Sequence, residues 1–466
     1  MNEKKRLLKN TGLIAIGNFG AKMISFLLLP LYTSILTTEE YGTYDFIVAV
    51  STFLLPVVTV SMHEAMFRFI IDTGNKGEEF KKVISNAFFA VMAGIMLLGL
   101  LFVIINNRLN IQYLHYIWLY VAASSMYTFS NNLLRGLGKI KEYAIISSGK
   151  NIVQLILNVI VIAGLRLGMK GLLASMCISE VLAFAIVTII SKFWHQISIK
   201  YISADKLNSM LKYSLPLIPN TLSASVINIS DRLVISTYMG PSSNGIYSIS
   251  YKFPNIVETI YHYFYTAWSE SASRVFAKGK EEAEKYYQSL YNLISNMMFS
   301  AILLLTAGMP IMFRLFIKGD YINGFTYVPL LMFAMYFDCI AKFYSGLFTA
   351  LKKTNVMATS TVIAAVVNIV INLILIKKIG LYAAAGSTLA ADAVLAFIRR
   401  IFVNKDISIP LNYRDVVLRI LILIITVFLY SYNNWIKISL LIIFAFVYAV
   451  VSNKQVLITI LKRYIN

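Results

Sequence analysis

VISNAFFAVMAGIMLLGLLFVIIN, Val83 to Asn106, carries no charged residue over its whole length. A hydrocarbon core of about 30 Å is crossed by roughly 20 apolar residues in a helix, so this stretch reads as a membrane span. Similar runs recur on both sides of it, from Gly12 almost to the C-terminus. The 466 residues are 58% hydrophobic and only 14% charged, with a mean hydropathy of +0.71. Such a composition excludes an ordinary soluble multidomain protein.

Apolar runs between clusters of Gly, Asn and charge place helices near 12–36, 43–68, 83–106, 113–135, 143–165 and 169–191, then near 212–239, 245–270, 288–317, 326–350, 357–376 and 380–399. Two more fall near 415–432 and 435–452, giving fourteen expected crossings. The first run follows Lys4-Lys5-Arg6 and resembles a signal peptide. At about 25 residues it exceeds an h-region, typically about 7 to 15 residues, and it lacks a small-x-small cleavage site, so it is expected to be retained.

The net charge of +20 raises nucleic acid as a partner. The positions of the basic residues argue against it. On this helix assignment, 29 Lys and Arg fall on the side of the N-terminus, 8 on the other, and 5 within helices. The excess is then topogenic, and both termini are expected in the cytoplasm. The two cysteines, Cys177 and Cys339, fall inside expected helices, where neither a disulfide framework nor a thiolate metal site is plausible. The links near 192–212 and 271–288 are the longest; the second, rich in Lys and Glu, is expected to lie as a helix at the headgroups, paired through its own opposite charges.

Displacing the chain by 203 residues sets Leu8-Lys9 on Leu211-Lys212 and Gly42-x-Tyr44 on Gly245-x-Tyr247. The repeat implies two six-helix lobes, 1–191 and 212–400, joined by a cytoplasmic link at 192–211 and followed by two further helices in 401–466. An even number of crossings per lobe makes the repeat parallel, with a substrate cleft expected between the lobes near the midplane. The fold expected is therefore all-α and polytopic, with two parallel six-helix lobes around a central cleft.

One face of the first helix reads Thr11, Ala15, Asn18, Lys22, Ser25, Leu29 and Tyr32; the same shift gives Ser214, Ile218, Thr221, Ser225, Asn228, Arg232 and Ile235. A polar stripe in an otherwise apolar helix is either wet or buried against protein. Placing Lys22 at membrane depth costs about 2.5 to 3.5 kcal/mol on insertion scales, so it reads as a substrate contact or as half of an interhelix pair. Arg232 has Asp231 beside it as a local partner, or it forms one cationic patch with Lys252. Tyr251, Tyr261 and Tyr265 belong to an aromatic and polar stripe in the eighth helix, suited to sugar rings or to plain helix packing. Glu258 and His262, one turn apart, are candidates for coupling to H+ or Na+. Asp338 and Lys342, four apart, are expected to pair, whereas Lys150 near a helix end can snorkel. Pro30, Pro56, Pro216, Pro219 and Pro254 permit bends in the helices expected to border the cleft. Candidate substrate contacts are thus Lys22, Arg232, Lys252, Asn18, Ser25, Thr221, Asn228, Tyr251, Tyr261 and Tyr265.

The segment DRLVISTYMGPSSNGIYSISYKFP, Asp231 to Pro254, resembles polysaccharide exporters of the MOP (MATE-like) superfamily, specifically Wzx-type flippases. Lys9 to Phe46 (KNTGLIAIGNFGAKMISFLLLPLYTSILTTEEYGTYDF) and Arg135 to Ser148 (RGLGKIKEYAIISS) are similar to runs of that family, and the likeness extends from about Leu7 to Arg400. It implies translocation of undecaprenyl-diphosphate-linked oligosaccharides for O-antigen, capsule or another surface polysaccharide across a bacterial cytoplasmic membrane, alongside polymerase machinery. It implies no catalytic residue, cofactor or metal. Asp231-Arg232, Gly245-x-Tyr247 and Lys252 match the family pattern. Two other readings stand beside it: a cation-coupled drug or metabolite antiporter using Glu180, Glu258 or Asp392, and a membrane-embedded polymerase, for which the external loops are short.

Overall fold

A computed structural model describes residues 26–73, 77–109, 113–277, 279–430, 434–454 and 458, and every regular element in them is helical. In chain order these are α1 (Leu29–Ile35), α2 (Thr38–Val58), α3 (Met62–Thr73), α4 (Gly77–Leu109), α5 (Leu114–Gly136), α6 (Ile140–Val159) and α7 (Gly168–Ser191). They continue with α8 (Ala204–Ser214), α9 (Leu217–Phe276), α10 (Lys280–Phe316), α11 (Val328–Ala350), α12 (Thr354–Ile379), α13 (Leu381–Val403), α14 (Tyr413–Leu429) and α15 (Trp435–Ser452). Among the described residues, nine helical stretches are long and apolar enough to cross a membrane. The protein is an all-α, multi-pass membrane protein.

Burial runs opposite to that of a water-soluble protein. Met96, Leu97, Leu100 and Leu101 of α4, and Ile436, Leu440 and Ile443 of α15, are exposed, whereas Asn86, Asn131, Glu180, Asn368, Asn372 and Arg399 are buried. Exposed apolar faces of this extent require hydrocarbon around them, and polar groups shut away from water require protein partners.

The chain divides into two units, Met1–Arg232 and Leu233–Asn466. In the first, α5 packs on α2, α3, α4, α6 and α7. Ile117, Val121, Ser125, Phe129 and Leu133 recur every four residues along α5 and are all buried. In the second, α13 packs on α11 and α12, and α15 on α10. The run Leu331–Tyr336 of α11 is buried without interruption. Ala383, Ala384, Ala385 and Ala391 of α13, all buried, let neighbouring helices approach closely.

Two expectations are corrected. The helix expected at 43–68 is two helices, because Val60 and Ser61 take left-handed φ of 50° and 47° just after Pro56. Residues 271–288 contain no separate headgroup helix: they end α9 and begin α10, although Lys285 does pair with Glu281 at 2.8 Å. The link at 192–211 is structured, since it holds most of α8 and is tied to α4. Asn86 Nδ2 donates to Tyr201 O at 3.2 Å, the Ser203 amide donates to Asn86 Oδ1 at 3.2 Å, and Lys206 meets Glu79 at 2.8 Å. The backbone bends inside α9 at Gly240, whose φ of 85° precedes Pro241; Pro254 lies farther along the same helix.

Candidate functional site

The polar stripes lead to a set of charges buried inside each unit. In the first unit the decisive local feature is a capping box. Thr37 Oγ1 accepts from the Glu40 amide at 3.1 Å, and the Thr37 amide donates to Glu40 Oε2 at 3.0 Å. This fixes the start of α2 at Thr38 and carries Asp45 two turns inward, where it is buried. Arg232 reaches it: Nε donates to Asp45 Oδ2 at 2.6 Å, while Nη1 donates to Asn228 O at 2.9 Å. The two side chains are 11% and 12% exposed.

A second pair joins α6 and α7, with Lys150 Nζ 2.7 Å from Glu180 Oε1. Lys150 also lies over the Tyr127 ring, 4.7 Å from its centroid. The expectation that Lys150 snorkels is thereby corrected, because a buried carboxylate holds it within the unit. Beside this pair, Asn158 Nδ2 donates to Tyr32 Oη at 3.0 Å, and Ser175 Oγ donates to Asn158 Oδ1.

The second unit holds a triad. Lys342 Nζ is 2.6 Å from Asp338 Oδ2 and 3.0 Å from Glu258 Oε1. The expected Asp338–Lys342 pair is present, and Glu258 completes it from α9. Nearby on α9, the Tyr261 hydroxyl is buried with no hydrogen-bond partner among the described residues, Tyr265 is half-buried and His262 exposed. Tyr251 is buried against Tyr247, ring centroids 6.0 Å apart, and Lys252 is half-buried. Thr221 and Asn228 are exposed, the Thr221 hydroxyl donating to Leu217 O at 3.1 Å. Asn18, Lys22 and Ser25 lie outside the described residues.

The sequence reading overlooked Asp45, which stands only two residues inside the helix as first delimited; the Thr37-x-x-Glu40 signature was the signal that would have moved the boundary. It also singles out neither Arg399 nor Arg419. Arg399 is buried in α13, and Arg419 is half-buried in α14. Chemically, the described network offers paired, nearly neutral charges. Each pair would have to exchange partners with an incoming charged group, since breaking a buried pair outright costs about 3 to 5 kcal/mol.

The family model for polysaccharide biosynthesis proteins matches residues 7–269, more than half of the chain. The chain belongs to that family. Its fold is that of the MOP superfamily. A structure titled lipid II flippase MurJ, in an inward closed conformation, is similar with a TM-score of 0.71 at 16% identity, covering 96% of this chain and 99% of that one. An inward-facing multidrug resistance MATE transporter gives 0.67 at 13% identity, over 82% and 94% of the two chains. A MOP transporter from Pyrococcus furiosus, described as having a binding pocket of reversed polarity, gives 0.54 at 14% identity, over 85% and 95%. No curated protein matches the family member described here in sequence.

Proposed function

We propose that the chain is a flippase that moves undecaprenyl-diphosphate-linked oligosaccharide repeat units from the cytoplasmic to the outer leaflet of a bacterial cytoplasmic membrane. The observation that carries the reading is a coincidence of two similarities: a polysaccharide biosynthesis family match over residues 7–269, and a fold like that of a lipid II flippase over 96% of the chain. A diphosphate bearing hydrated sugars cannot enter hydrocarbon unaided, so the protein must replace its lost water contacts. Lys22, Arg232 and Lys252 would meet the phosphates. Asn18, Ser25, Thr221, Asn228 and the tyrosines Tyr251, Tyr261 and Tyr265 would meet the sugars. The two lobes, 1–191 and 212–400, would rock in alternating access while the lipid tail stays in the bilayer beside the helices of 401–466. Positive-inside counting supports cytoplasmic termini. The protein acts as a transporter, not an enzyme, with H+ or Na+ as the coupling ion through Glu258 and His262.

A cation antiporter would favour carboxylates held open for exchange. Asp45, Glu180 and Asp338 instead each have a basic partner within 3 Å, which favours the flippase. The reading is tested in cells depleted of the chain: surface polysaccharide should be lost while lipid-linked repeat units accumulate on the inner leaflet. Normal surface polymer in such cells would reject it.

A further inference from the structure

Two adjacent helices of the second unit each carry an arginine that has no carboxylate within 4.0 Å among the described residues. Their situations differ. Arg399 of α13 is buried, and all five of its N–H donors have acceptors: Ser360 Oγ, Ala341 O, Ser345 Oγ, Met357 O and Thr361 Oγ1, at 2.7 to 3.5 Å. It is a finished staple between α11, α12 and α13. Arg419 of α14 has only neutral acceptors among the described residues, the Tyr448 hydroxyl being one of them. Nη1 donates to Tyr336 Oη at 2.7 Å and to Ser295 Oγ, Nη2 donates to Asn296 Oδ1, and Nε is buried with none. Phe299 and Tyr336 flank the guanidinium, 5.5 and 5.9 Å from it. The acceptors are neutral, so the charge of Arg419 is oriented but not balanced.

Arg419 faces a cavity of about 650 Å³ lined by α10, α11, α13 and α14. Arg400 lines the same cavity, with one guanidinium nitrogen donating to Ile409 O at 3.2 Å. The only acid in the lining is Asp415, which is exposed. Two arginines against one aspartate leave the cavity cationic. Lys150, Arg232 and Lys342, by contrast, each have a carboxylate beside them. At the edge of the same cavity stand Phe397, 63% exposed, and Ile420, 46% exposed. A cationic interior with an uncovered apolar border calls for an occupant that is anionic at one end and hydrocarbon at the other. The volume lies within the range of about 300 to 1,000 Å³ seen for small-molecule sites, larger than a bare phosphate requires and suited to a phosphate with part of a headgroup.

We propose that this cavity binds the phosphate of an anionic membrane lipid, with Arg419 and Arg400 supplying the counter-charge and the lipid chains lying along Phe397 and Ile420. Arginine suits phosphate because its planar fork donates two parallel hydrogen bonds to an oxyanion. The site lies within the second unit and uses none of the residues assigned to the substrate under the proposed function.

The test is native mass spectrometry of the full-length protein titrated with phosphatidylglycerol, phosphatidylcholine or undecaprenyl phosphate, repeated for Arg400→Gln and for Arg400→Gln combined with Arg419→Gln. Arg400 is half-buried, so its single variant should fold even where the double variant proves weak. The expected result is retention of one phosphatidylglycerol or undecaprenyl phosphate at least tenfold tighter than phosphatidylcholine, the preferred anionic lipid naming the source. The single variant should lower that preference severalfold and the double variant should abolish it. Equal retention of phosphatidylcholine, an undiminished preference in Arg400→Gln, or displacement of the lipid by equimolar inorganic phosphate would overturn the proposal.

Discussion

Arg232 Nε and Asp45 Oδ2 lie 2.6 Å apart across 187 residues of sequence, and both side chains are nearly closed to solvent. A pair of this kind is costly to halve and much cheaper to remove whole, because the surviving partner of a halved pair is left as an uncompensated charge. Asp45→Ala should therefore cost about 3 to 5 kcal/mol, whereas Asp45→Leu with Arg232→Met should recover most of the loss. Thermal unfolding in detergent checks this. A double variant as unstable as the sum of its two single variants would remove the pairing from the account.

Lys150 and Glu180 pose the same question between α6 and α7. The Glu180 side chain is 3% exposed and has one oxygen without any partner, so Lys150 is its only charge balance among the described residues. Lys150→Met should lower yield and melting temperature sharply, and adding Glu180→Gln should restore both. Fluorescence size-exclusion profiles of the two variants beside the parent read the outcome.

Arg399 is expected to tolerate no replacement. Methionine would strand the acceptors on two helices, α11 and α12, and lysine, with three donors and no fork, cannot span them. Both Arg399→Met and Arg399→Lys should destabilise the fold by about 3 kcal/mol or more. Rescue of the melting temperature by lysine would show that charge alone matters there.

Gly94 of α4 faces the backbone of α2 so closely that an added methyl would overlap the Val58 carbonyl oxygen. A backbone carbonyl cannot swing aside as a side chain can, so Gly94→Ala should separate the two helices and cost about 1 to 3 kcal/mol by overpacking. Gly346→Ala should act comparably, by displacing Trp268, whose indole N–H donates to Phe343 O at 2.9 Å. Melting temperatures unchanged from that of the parent would refute the close approach.

The helices were legible from sequence because a membrane span announces itself by length and apolarity, as in Val83 to Asn106. What escaped the reading depends on other signals. The break after Pro56 needs Val60 and Ser61 in a left-handed conformation that neither residue type advertises. The depth of Asp45 follows from a capping box that composition alone does not weigh. Arg399 and Arg419 sit where helix ends and basic loops look alike in sequence, and only packing distinguishes a topogenic charge from one enclosed by serine, asparagine and tyrosine. Lys342 was read correctly as the partner of Asp338, since four-residue spacing is local; its second partner, Glu258, lies 84 residues away and is not.

Transport itself is measured most directly in proteoliposomes carrying a fluorescent undecaprenyl-diphosphate oligosaccharide in one leaflet, with a membrane-impermeant glycan-cleaving enzyme outside. The account predicts that the reconstituted protein renders inner-leaflet glycan accessible within minutes, and that Lys252→Ala slows this at least tenfold while remaining inserted. Glycan that stays protected in vesicles whose protein nonetheless expels cationic dyes would contradict it.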